Sequence, residues 1–368
     1  MNETALSARS PWLVSRRFDL ALFFGGAPLA LAMMVAVLGG GLSIVALTWV
    51  WILLGDGPHM FATLSRSYLD GECLRGPHAR LLRLSPLAFL VGPLALLGNV
   101  LLGSEAPFTL FLLISGLLSV HHVVRQHWGF LSLYWSKSGE QGRDGLLRDE
   151  LALYGIALFP YLHFLASHPR VRAATGLPEP PVVLLALLVV LSVASALAFL
   201  AGNAGRLGAP RTQYFMVFAA LQAILYFGVA RLEPVYPEAV GPEQEFLLMA
   251  VMAATFHSVQ YTALVYVHNR GRYLGPDAAP LARSLASSPL RYLAAALLFS
   301  AGYALFSASA AIYPGFTLLT GKVLGPHATA NQLMVGLYWG VALHHYWLDR
   351  RLWRPNQDPA LASALGLR

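Results

Sequence analysis

Long apolar blocks alternate with short polar stretches along the whole chain. Ten blocks approach or exceed the ~20 residues an α-helix needs to cross a bilayer: residues 20–38, 43–66, 85–103, 107–134, 150–167, 179–201, 213–231, 244–268, 290–312 and 327–348. The pattern predicts an all-α fold, a polytopic transmembrane helical bundle of about ten spans. The Pro- and Gly-rich pieces at 169–181, 202–211 and 273–289 are too short to separate domains, so residues 1–368 read as one integral membrane domain. The first block follows a polar N-terminus and is long enough to be a retained span rather than a cleaved signal.

The basic residues give the spans a direction. Arg9, Arg16 and Arg17 precede span 1, and Arg75, Arg80 and Arg83 follow span 2. Lys137, Arg143 and Arg148 follow span 4, Arg206 and Arg211 span 6, and Arg270, Arg272 and Arg283 span 8. Arg350, Arg351 and Arg354 close the chain. The alternate loops are poorer in Lys and Arg, with HPRVR (168–172) after span 5 as the exception, and the one after span 7 carries Glu233, Glu238 and Glu243. The positive-inside rule then places both termini in the cytoplasm, in a bacterial inner membrane.

Composition agrees. The chain is 57% hydrophobic and 12% charged, against about 25% charged for soluble domains. Its net charge of +7 lies in the loops, which argues for topology and against a nucleic-acid partner. Cys73 is the one cysteine, so neither a disulfide nor a cysteine-based metal site is available. No phosphate-binding glycine loop, nucleophile elbow or HExxH segment occurs.

Against this apolar background the histidines stand out. The stretch SVHHVVRQHWGF (119–130) continues directly from an apolar run. His59 falls on span 2, His121, His122 and His127 on span 4, His257 and His268 on span 8, and His344 and His345 on span 10. All lie in the half of the span that the charge pattern assigns to the cytoplasm. Ionisable side chains inside a membrane are costly and mark functional sites, and similar depth on four helices is what a shared metal site requires.

Helix geometry narrows the set. His257 and His268 are eleven residues apart, or about 16 Å along a helix, so they cannot share one ion. His257 belongs to the site and His268 to its mouth. Neighbours in an HH pair differ by about 100° around the axis, so each pair offers one ligand per ion. The candidate ligands are His59, His122, His257 and His345, followed by His121, His127 and His344. Gln126, Gln260 and Asp349 lie one turn from candidate ligands and are expected to orient them. Tyr261 and Asp56 are the candidate catalytic groups, Tyr261 as a proton donor. Gly57 and Pro58 loosen the helix beside His59. Arg66 and Arg125 are expected at the mouth or on a lipid head group, and His78, His163, His168 and His327 at wet boundaries. Trp128, Tyr134, Trp135, Trp347 and Trp353 read as an interfacial belt. One histidine on spans 2 and 8 and an HH pair on spans 4 and 10 hint at a repeat of spans 1–4 and 7–10, although the offsets of 198 and 223 residues differ.

Three short pieces, GPHM (57–60), HWGF (127–130) and FHSVQY (256–261), resemble the Brp/Blh family of membrane carotenoid-cleaving dioxygenases. GPHMFATL lacks the Asp and His that follow in that family's segment. The resemblance implies a chemistry class: a polytopic protein holding non-heme iron through histidines from several helices. The expected function is a metal-dependent membrane oxidoreductase, a non-heme iron oxygenase acting on a lipophilic substrate that enters from the membrane lipids, with an electron donor the sequence does not name. Copper also suits an imidazole shell. Two other classes fit the same residues: a heme-binding or heme–copper-like redox protein, and a proton- or metal-coupled transporter.

Overall fold

The computed structural model describes residues 10–76, 78–138, 143–169, 171–172, 176, 178–229, 242–276, 278–309, 323–325, 327–355 and 357–367. Arg9, Glu233 and Glu238, used above for orientation, lie outside the described residues. The fold is helical. α1 (Arg16–Phe24) and α2 (Gly26–Leu38) form a pair bent by 43°. They are followed by α3 (Ile44–Arg66), α4 (Ala79–Leu102), α5 (Ala106–Lys137), α6 (Arg143–Ser167), α7 (Val182–Gly202) and α8 (Pro210–Ala223). Then come α9 (Pro242–Tyr273), α10 (Pro280–Ser287), α11 (Pro289–Ser309), α12 (Ala330–Leu352) and α13 (Pro359–Ala364). A small antiparallel hairpin, Val323–Gly325 with Ala328–Thr329, precedes α12.

Seven helices among the described residues are long and apolar enough to cross a membrane, eight if α1 and α2 count as one span. Their outward faces are apolar: Val182 and Val183 on α7 are 80% and 79% exposed, and Leu298 on α11 is 79% exposed. Faces of this kind suit lipid rather than water. The expected blocks 213–231 and 327–348 overlap α8 and α12, yet these two helices are not among the seven.

The chain divides into two compact units: residues up to Met34 with Val123–Phe256, and Val35–His122 with His257–Gly366. The first is organised by buried acids. Asp19, fully buried, accepts hydrogen bonds from the backbone N–H groups of Leu13 (2.7 Å) and Val14 (3.1 Å) and from the Tyr134 hydroxyl (3.0 Å). Asp149 accepts from Arg211, from Arg148 at 2.9 Å and from Asn203 at 3.5 Å. Tyr134 is therefore a core residue, not part of an interfacial belt. His163 and His168, expected at a wet boundary, are also buried, against Phe227 and Phe164.

The second unit depends on close helix approaches. A Cβ at Gly92 of α4 would lie 2.4 Å from the Gly336 Cα of α12, and one at Gly57 of α3 would lie 2.3 Å from Ser300 Oγ of α11. Glycine at these points lets the backbones meet, the usual device between apolar helices. The start of α12 is held by a capping box, in which Thr329 Oγ1 accepts from Gln332 N–H and Gln332 Oε1 from Thr329 N–H.

Candidate metal centre

Four helices each deliver one buried histidine to the second unit. On α3 the regular ladder widens at Ile52–Asp56, where the Gly57 N–H reaches back five residues to the Ile52 carbonyl. Pro58 follows at the start of the next regular turns, a position where its missing N–H costs little. His59 comes one residue later. His122 belongs to α5, His257 to α9 and His345 to α12.

Their rings converge. His345 Nε2 lies 2.8 Å from His59 Nε2 and 3.0 Å from His122 Nε2. The His257 ring is 4.6 Å from that of His59 and 4.9 Å from that of His122, centroid to centroid. One nitrogen from each ring lies within 4.8 Å of all the others. Nitrogens bound at ~2.1 Å to one ion are about 3.0 Å apart at right angles and about 3.4 Å apart at tetrahedral angles, so the spacing fits a shared cation.

The hydrogen-bond chemistry points the same way. A neutral ring nitrogen carries one in-plane proton or one in-plane lone pair. His345 Nε2 therefore cannot meet both neighbouring nitrogens head-on, whereas an ion between them can be met by all. His59 Nδ1 is buried and has no hydrogen-bond partner among the described residues, which leaves its Nε2 side as the ring's polar contact. The rings are 1–9% exposed, shielded from bulk solvent.

Around the cluster, His345 Nδ1 contacts Thr63 Oγ1 at 2.6 Å, and Thr63 Oγ1 contacts the Tyr261 hydroxyl at 3.1 Å. Tyr261 donates to Asp349 at 2.5 Å, and Trp353 Nε1 donates to the Tyr261 oxygen at 3.3 Å. Tyr346 stacks on His122 at 4.2 Å and donates to Ser119. Thr63 and Tyr346 were not among the sequence candidates. Thr63 stands one turn after His59, a spacing that could have flagged it.

The other candidates have other surroundings. His121, next to His122 on the helix, faces outward and is exposed. His344 is stacked on Tyr68 and contacts its hydroxyl at 3.0 Å, so His345 alone of its pair joins the cluster. His127 belongs to the first unit, where its Nδ1 contacts the Tyr214 hydroxyl at 2.6 Å among Phe218 and Phe256. Gln126 is half-buried in that same unit, and Gln260 is fully buried one turn beyond His257. Asp56 accepts from Tyr303 at 2.8 Å and Tyr338 at 3.5 Å.

Of the residues expected at the mouth, Arg66 is 2% exposed, lies over Trp353 and stands 3.7 Å from Asp70 and 3.9 Å from Asp358. Arg125 is exposed and paired with Glu150. His268 is fully buried beside Asn269 and edges onto Trp353. Burial pushes the Cys73 thiol up to about 11, more than the nearby Arg66 lowers it, so it is no thiolate ligand.

Comparison with protein-family models, curated proteins and solved structures gave no match to any of the three.

Proposed function

We propose that this chain is a membrane-embedded, metal-dependent oxidoreductase, most specifically a non-heme iron oxygenase that acts on a lipophilic substrate. The observation that carries the reading is the convergence of His59, His122, His257 and His345, from four helices, on one buried point. Imidazole nitrogens suit iron and copper, and the second unit brings no thiolate to the cluster. Iron in a four-imidazole shell supplies a redox centre with coordination positions to spare. The apolar outward faces make a lateral approach from lipid the natural route for an apolar substrate.

In this reading the chain has ten spans, α8 and α12 included, with both termini in the cytoplasm of a bacterial inner membrane. The polar residues that lower the apolarity of α12 are in part those that serve the site. Heme is less favoured by the geometry. A heme offers two axial positions on opposite sides of a plane, whereas four nitrogens within 4.8 Å of one another leave no room for that plane.

The test is elemental analysis with an ultraviolet–visible spectrum on detergent-purified protein, wild type beside His257→Ala. Near-stoichiometric iron without a Soret band, lost in the variant, is the expected result and opens a screen of lipophilic substrates under oxygen. A Soret band would replace this reading with a heme protein. A clean absence of metal in folded wild type, also after anaerobic loading with ferrous iron, would overturn it in favour of a carrier.

A further inference from the structure

Three of the four helices that bring a histidine to the cluster also bring the residue one turn later to a second layer. His59 is followed by Thr63 on α3, His257 by Tyr261 on α9, and His345 by Asp349 on α12. Residues four apart share a helix face, so the layer follows from helix geometry once the histidines meet. We infer that Thr63 is a positioning residue that sets the tautomer of His345, at the head of a one-way hydrogen-bond relay ending on Asp349. The inference rests on the metal reading above.

The direction follows from counting protons. Tyr261 donates its single hydroxyl proton to Asp349 Oδ1, 2.5 Å away. The Tyr261 oxygen is then an acceptor, for Trp353 Nε1–H at 3.3 Å and for the Thr63 hydroxyl at 3.1 Å. Thr63 has one proton too. With it directed at Tyr261, its oxygen accepts from His345 Nδ1–H at 2.6 Å. His345 is thereby held as the Nδ1–H tautomer, and its Nε2 lone pair faces the nitrogens of His59 and His122. The reverse direction at Thr63 would leave two oxygens 3.1 Å apart with no proton between them.

Burial keeps the relay intact: Thr63 and Tyr261 are each 2% exposed and His345 is 1% exposed. Asp349 also puts an oxygen 3.6 Å from His345 Nε2. A ligating imidazole whose other nitrogen is anchored binds metal more tightly, and loss of such an anchor costs 10–100-fold in affinity.

The test is a titration with Co(II), whose visible ligand-field bands report the ligand set, on detergent-purified wild type, Thr63→Val, Thr63→Ser and Tyr261→Phe. Thr63→Val keeps the shape and removes the hydroxyl. Its affinity should fall 10–100-fold with altered bands, and Thr63→Ser should restore both. Tyr261→Phe leaves Thr63 in place but removes its acceptor, which frees Thr63 to donate to His345 Nδ1 and moves the ring proton to Nε2. A loss as large as in Thr63→Val is expected, which packing alone would not produce. Wild-type affinity and bands in Thr63→Val, or in Tyr261→Phe should Thr63→Val not fold, would overturn the inference and leave the metal centre standing. No Co(II) uptake by wild type would overturn the metal reading and this inference together.

Discussion

In the first unit, Asp149 is closed by its own chain: Arg211, Arg148 and Asn203 all donate to it, and Arg211 is itself buried with an aromatic ring, that of Trp135, 4.4 Å beneath it. In the second unit, four imidazoles face one another, alike in charge and in chemistry. The first cluster is a finished ion pair that serves the fold. The second brings together groups that do not answer one another, and it makes sense around a guest. Complementary groups point to structure, and converging like groups point to a ligand. The second unit holds finished networks as well. Asp70 accepts from Tyr273 at 2.8 Å and from Arg272 at 3.1 Å, so the contrast belongs to the clusters rather than to the units.

The largest effect should come from breaking the finished pair. Asp149→Ala strands a buried guanidinium and should cost about 3–5 kcal/mol, as breaking a buried pair from one side does. Denaturant unfolding in detergent measures it, and metal content per folded molecule should stay unchanged. The opposite is expected of the histidine cluster without metal. His122→Leu should leave metal-free protein within about 1 kcal/mol of wild type or make it more stable, because an apolar side chain replaces a desolvated imidazole. A loss of several kcal/mol from metal-free His122→Leu would mean that the cluster is a structural network like that of Asp149. The smallest effect concerns Cys73, in the Asp70 network. Its thiol, raised to about 11, is protonated below that pH and forms the reactive thiolate only as pH rises through it. Alkylation by iodoacetamide should stay slow from pH 7 to 9 in folded protein. Rapid labelling at pH 8 would show that this network is open.

The histidines were legible because polar residues in apolar helices at matching depth are rare, and His59, His122, His257 and His345 are the four that meet. Helix phase decided the HH pairs, but only packing reveals which of two residues 100° apart faces inward. His127 looked equivalent until Tyr214, 87 residues away in sequence, proved to hold it. Asp349 and Tyr261 stood one turn from histidines and were visible as partners. Thr63 passed as an ordinary helix residue, since its role depends on α3, α9 and α12 meeting. The helical fold was equally plain, but counting spans was less secure. α12 carries Asn331, Gln332, His344 and His345, and such residues blur the hydropathy that defines a span.

The wide turn at Ile52–Asp56 has a consequence for chain length. It holds one more residue than a regular turn of helix, and His59 follows it by three positions. Deleting a single residue there would turn it into a regular turn and leave the two ends of α3 facing as before, because the wide turn absorbs its extra residue locally. A deletion in the regular turns has no such slack, and rotates what lies on either side by about 100°. The wide turn is thus the place in α3 where the chain can shorten by one residue with His59 and the upstream apolar face both keeping their bearings.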